Sequence, residues 1–128
     1  MGSQQGLDRL EADFRVMFPS TTTNLPPPNF WLEFWAQASR DEGLCQQHLA
    51  RFQMTRKHYE QAVRHELAAR KVQPDIDVSL LADALATLSL GFEVRVSLDG
   101  ESISQERAFQ STKQVLDLIR LLLHALDR

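Results

Sequence analysis

Apolar residues recur along this chain at spacings of three and four, the period of helices with one face turned inward. Between Leu7 and Phe18 they fall at Leu7, Leu10, Phe14 and Met17 or Phe18, which predicts a short amphipathic helix stopped by Pro19. Ser20-Thr21-Thr22-Thr23-Asn24-Leu25-Pro26-Pro27-Pro28 cannot be helical and reads as a linker. A second helix is expected from about Asn29 or Phe30 to Ser39, capped by Asn29, with Phe30, Trp31, Phe34 and Trp35 forming one wide aromatic face. Asp41 is expected to cap a third, which follows Leu44, His48, Leu49, Phe52, Tyr59, Ala62, Val63 and Leu67 to about Lys71. That helix would be roughly 40 Å long. Pro74 closes it.

A fourth helix is expected from its cap Asp77 through Leu98, with Leu80, Leu81, Ala84, Leu85, Leu88 and Phe92 in one stripe. Ala82, Ala86, Leu90, Val94 and Leu98 fill most of its remaining circumference. Asp99-Gly100 marks a turn, and Ser102 or Ser104 caps a fifth helix carrying Phe109, Thr112, Val115, Leu116, Ile119, Leu122, Leu123 and Leu126. Leu118 and Leu121 widen its apolar arc. Helices apolar nearly all round must be buried on more than one side. Phe92 to Leu98 alternates loosely as a strand would, but it continues a strong helical stripe and is read as helix. The fold class is therefore all-α, about five helices. Residues 1–28 are expected to form a lead-in, a short helix and a proline-rich linker, and residues 29–128 the helical domain.

Composition narrows the class without adding chemistry. A chain of 128 residues with 43% hydrophobic and 24% charged residues has the make-up of one globular domain. A formal charge of -3 offers no electrostatic reason to expect nucleic acid. Cys45, the single cysteine, cannot form an internal disulfide, so a reducing compartment is the simpler expectation. No apolar run approaches the roughly 20 residues that span a bilayer. Met1 to Gly6 has neither the charged nor the apolar region of a signal peptide, so the expected location is cytoplasmic.

No histidine among His48, His58, His65 and His124 stands three or four residues from another, as a helical metal pair requires. Cys45 and His48 lie one turn apart, but nucleophilic catalysis also needs an orienting group and an oxyanion hole, and no glycine-rich turn supplies one. No catalytic residue, metal site or cofactor is expected, and the chain is not read as an enzyme. The cationic stretch Arg51, Arg56, Lys57, Arg64, Arg70 and Lys71 reads as the solvated face of the third helix. Glu33 and Glu93 interrupt apolar stretches. Each is an outward carboxylate or, turned inward, a partner for a cationic ligand. The aromatic residues Phe30, Trp31, Phe34, Trp35, Phe52 and Tyr59 suit a core and the wall of an apolar cavity alike.

The segment Phe30-Trp31-Leu32-Glu33-Phe34-Trp35-Ala36-Gln37-Ala38-Ser39-Arg40-Asp41 resembles one found in the ligand-binding domain of TetR-type bacterial transcriptional repressors. Leu49 to Lys71, Pro74 to Asp77, Val78 to Leu98 and the residues after Ser102 resemble the helices that follow it, so the likeness covers about Phe30 to Leu126. It implies a helical regulatory domain that binds a small molecule and dimerises, the last two helices of each subunit forming a four-helix bundle. The wide apolar arcs of the fourth and fifth helices suit such an isologous contact. A homodimer is expected through Leu81, Leu85, Leu88, Phe92, Val115, Ile119 and Leu122. A small hydrophobic ligand is expected against Trp31, Phe34, Trp35, Phe52 and Tyr59. Members of the family carry an N-terminal helix-turn-helix domain that these residues do not provide, so no direct nucleic-acid binding is expected of this chain, nor any membrane association. The alternative is a stand-alone helical interaction protein that heterodimerises with full-length regulators.

Overall fold

The computed structural model describes residues 5–19, 30–98 and 103–126, apart from the Trp31 side chain. Among the described residues five helices follow one another: α1 (Gly6–Met17), α2 (Phe30–Ala38), α3 (Glu42–Arg70), α4 (Val78–Leu98) and α5 (Gln105–Leu126). No strand occurs among the described residues, and Phe92 to Leu98 is helical. None of the described helices is long and apolar enough to cross a membrane.

The helix starts follow their caps. Asp41 Oδ1 accepts from the Leu44 amide at 3.1 Å and Asp77 Oδ1 from the Leu80 amide at 3.1 Å. Of the two serines before α5, Ser104 acts as the cap, its Oγ accepting from the Arg107 amide at 3.1 Å. Ser102, the Asp99-Gly100 turn, the linker 20–28 and the cap expected at Asn29 lie outside the described residues. At the far end of α3, Lys71 takes a left-handed φ of 56°, and the Val72 amide donates to Leu67 O at 3.0 Å. That turn folds Val72 back onto the core.

α3 is the central element: α1, α2 and α4 all pack on it, and α5 closes over α1 and α4. The core joins Leu7, Leu10, Phe14 and Phe18 to Tyr59, Ala62, Val63 and Leu67 of α3, Ala82, Leu85 and Ala86 of α4, and Ala108, Phe109, Leu116 and Leu123 of α5. Residues 6–18 therefore share one core with the helices after the linker, although the sequence reading set residues 1–28 apart. The linker prolines signal a break in the chain, but the apolar face of α1 has nothing within its own segment to bury against.

Polar contacts fix α1 in place. Gln5 supplies no cap; instead Glu66 of α3 reaches across, its Oε1 accepting from the Leu7 amide at 3.0 Å. Gly6 has a φ of +64°, which strains any other residue, and a Cβ there would stand 2.6 Å from Glu66 Oε1 and push that side chain aside. From α5, Arg120 donates to Asp8 and Glu11, each at 2.9 Å, and to Asp117 at 2.8 Å. Arg15 donates to Glu106 at 2.7 Å and lies 3.5 Å over the Phe109 ring. This pairing and a hydrogen bond from Gln110 draw the Glu106 carboxyl down to about 2.

Candidate ligand site and self-association face

The residues expected to line a ligand cavity divide between two environments. Phe34 and Trp35 lie half-buried on α2, and the Phe34 ring meets the His48 ring of α3 edge-on at 5.9 Å. Phe52 is half-buried on α3. The Trp31 side chain lies outside the description. Tyr59 belongs to the core. Its ring stands edge-on to Phe14 at 5.7 Å, and its hydroxyl lies 3.5 Å from Ser89 Oγ. Ser89 Oγ donates in turn to Ala86 O at 2.9 Å, so the tyrosine is the donor to Ser89. Burial disfavours the phenolate and pushes Tyr59 up to about 12. The expected polar contact to a ligand is thus already spent on α4.

The two carboxylates that interrupt apolar stretches also separate. Glu33 is exposed on α2, whereas Glu93 is drawn inward on α4. Burial raises the Glu93 carboxyl, against the pull of Arg51 on α3, and no hydrogen bond reaches it among the described residues. Its charge is felt at Tyr59 one helix away. This carboxylate is carried by α4 and faces the charge of α3, two helices that also contact α2. Such a group favours a positively charged or hydrogen-bond-donating guest.

A separate recess of about 380 Å³ opens between α1 and α3, lined by Arg9, Asp13, Met17, Met54, Thr55, His58 and Tyr59. Tyr59 is its one member in common with the expected ligand wall. His58 Nε2 lies 2.6 Å from Asp13 Oδ2, so this histidine ties α3 to α1. The sequence spacing held no trace of that contact, because its partner is 45 residues away. No group of three or more metal-ligating side chains occurs among the described residues.

The residues expected at the dimer face are mostly occupied inside the chain. Leu85 is buried, Leu81, Phe92, Val115 and Ile119 pack partly against the core, and Leu88 is half-buried. Of the seven, Leu122 alone is exposed, at 66%. The buried stripe of α4 is instead Val78, Ala82, Leu85, Ala86 and Ser89, rotated from the one expected. A different apolar surface remains outside. Leu118, Leu121, Leu122 and Leu126 of α5, with Leu80 and Leu98 of α4, are 53–67% exposed. Leu80, Ala84, Thr87, Gly91 and Leu98 lie on one face of α4, at intervals of three, four and seven residues, and all are exposed.

The model of the BetI-type transcriptional repressor C-terminal family matches residues 6–121. The chain belongs to that family, and so to the TetR-type regulatory domains that the tryptophan segment resembled. The match begins at Gly6, so it takes in α1, which the resemblance had left out. Neither the curated proteins nor the solved structures contain a match to the chain.

Proposed function

We propose that this chain is the small-molecule-sensing and dimerisation domain of a TetR-type regulator, pairing with a second copy through the outer faces of α4 and α5. One observation carries the pairing: a row of exposed leucines on α5 beside a glycine on α4 that the monomer does not need. Gly91 sits inside a helix, where glycine costs roughly 0.5–1 kcal/mol relative to alanine. A Cβ there would meet nothing within 4 Å among the described residues. Its use is therefore external, as a place where a second helix comes close. Leu122 keeps its place in the expected interface, joined by Leu118, Leu121 and Leu126, while Leu85 serves the monomer core.

Sedimentation velocity tests the pairing. The chain is expected to sediment as a dimer, and Leu118→Glu with Leu122→Glu to yield a folded monomer. Gly91→Ala separates the two roles of the helix: it is expected to raise the stability of the monomer while weakening the dimer. A doubly substituted protein that remains dimeric removes these helices from the interface. A wild-type monomer that pairs only with a full-length regulator favours the heterodimer reading instead.

Sensing is assigned to the junction of α2, α3 and α4, with Trp31, Phe34, Trp35 and Phe52 as candidate aromatic wall and Glu93 as its charged group. The aromatic surface that α2 leaves unburied and the unpaired inward carboxylate support this reading. The ligand it suits has an apolar body and a basic group. Tyr59 takes part from behind, through Ser89, rather than as a wall residue. Such a ligand quenches tryptophan emission and raises Tm by mass action; Glu93→Gln is expected to abolish the preference for cations.

A further inference from the structure

The recess between α1 and α3 has unspent chemistry of its own, distinct from the junction beside α2. Met17 and Met54 supply apolar lining beside Tyr59, with Met54 71% exposed and Val16 on the adjoining turn of α1 81% exposed. Two methionines give a soft, adaptable surface that conforms to apolar chains of differing shape. At about 380 Å³ the space lies at the small end of the roughly 300–1,000 Å³ usual for small-molecule sites.

Hydrogen-bond accounting decides which charge it accepts. Asp13 already faces two partners inside the protein, Oδ1 accepting from Arg9 Nε at 3.2 Å and Oδ2 lying 2.6 Å from His58 Nε2. A cationic guest there would compete with the Arg9 guanidinium for the same carboxylate. Arg9, by contrast, uses only Nε among the described residues, which leaves the outer edge of its guanidinium free to donate. The Thr55 hydroxyl, also in the lining, has no hydrogen bond among the described residues either. The Arg9 edge can only donate and the Thr55 hydroxyl can donate beside it, and a guanidinium edge matches a carboxylate with two parallel hydrogen bonds.

We propose that this recess binds a small amphipathic carboxylate, its head held by Arg9 and Thr55 and its chain lying over Met17 and Met54. Such a ligand bridges α1 and α3 and adds to the contacts that dock α1.

The test is an amide chemical-shift titration of the isotope-labelled protein with octanoate, octanol and octyltrimethylammonium. Octanoate is expected to shift amides around Asp13, Met17, Met54 and Thr55 saturably, and to bind at least tenfold more tightly than the other two. Arg9→Gln, which removes only a surface ion pair, is expected to weaken octanoate at least fivefold with the fold intact. Met54→Ala is expected to weaken it as well, while Arg64→Gln, on the same helix outside the recess, leaves it unchanged. The proposal fails if octanoate shifts only residues of α2 or α5, if octanol binds equally well, or if Arg9→Gln binds as the parent protein does.

Discussion

α1 and α2 are both short, and the less apolar of them is the better buried. Five of the nine residues of α2 are large and apolar (Phe30, Trp31, Leu32, Phe34 and Trp35), yet among its described side chains only Ala38 is buried. Phe30 remains 47% exposed. α1 carries acidic and basic residues throughout, and still Leu7, Leu10, Phe14 and the adjoining Phe18 are at most 1% exposed. Arrangement explains the inversion. The apolar residues of α1 form one narrow seam that fits between α3 and α5; its charges meet Arg120, Glu106 and His58, and its Leu7 amide meets Glu66. The apolar residues of α2 spread over more than half its circumference, wider than the contact that α3 and α4 offer it. One helix completes a core; the other presents aromatic surface.

The sharpest way to break this contrast is a pair of matched truncations. Phe14→Ala is expected to cost about 3–5 kcal/mol, because it empties a fully enclosed site against Tyr59. Phe34→Ala should cost only about 1 kcal/mol, since its half-buried ring has less apolar area to return to water. Urea denaturation of the two variants measures both; equal losses would mean that α2 is as much a part of the core as α1.

Smaller effects come from pH. Burial opposes the charge of Glu66, but the Leu7 amide and Arg70 outweigh it and leave the carboxyl below its ordinary value. Its contribution is therefore present above the usual carboxylate range and lost as pH falls through the lowered value. Glu66→Gln is expected to flatten the acid limb of the stability curve and to speed hydrogen exchange at the Leu7 amide. Glu93 has the opposite sign. Its raised carboxyl favours the folded state while protonated, and that advantage fades as pH rises through the raised value, so Glu93→Gln should raise Tm at neutral pH. A fall in Tm would show that the charged carboxylate has a stabilising partner. Tyr59 acts similarly in alkali: its contribution is whole below about 10 and disappears as pH climbs toward about 12.

The smallest expected effect is a null. With a net charge of -3 and with Asp8 and Glu11 of α1 committed to Arg120 of α5, this chain should show no sequence-specific DNA binding in fluorescence anisotropy at physiological salt. Nanomolar specific binding would give α1 a role other than completing the core.

Much of the architecture can be read from residues close together in the chain. Asp41, Asp77 and Ser104 start their helices because a cap bonds to an amide three residues on, an arrangement complete within one turn. The five helical segments, the all-α class and the family follow from three-and-four spacing and from the Phe30 to Asp41 segment. The inward faces of α1 and α3 were legible in the same way, whereas those of α4 and α5 were a different matter. α4 and α5 are apolar over so wide an arc that several rotations satisfy the sequence equally well. Only the positions of α1 and α3 decide that Leu85 and Leu116 are covered while Leu98 and Leu122 are not. The same holds for the site residues. Tyr59 reads as a cavity aromatic until Ser89, thirty residues away, takes its hydroxyl, and Asp13 and Glu66 acquire their roles from partners on other helices. Periodicity is a property of a segment and survives in isolation. Burial and pairing belong to two segments at once, and they exist only when the helices are packed together.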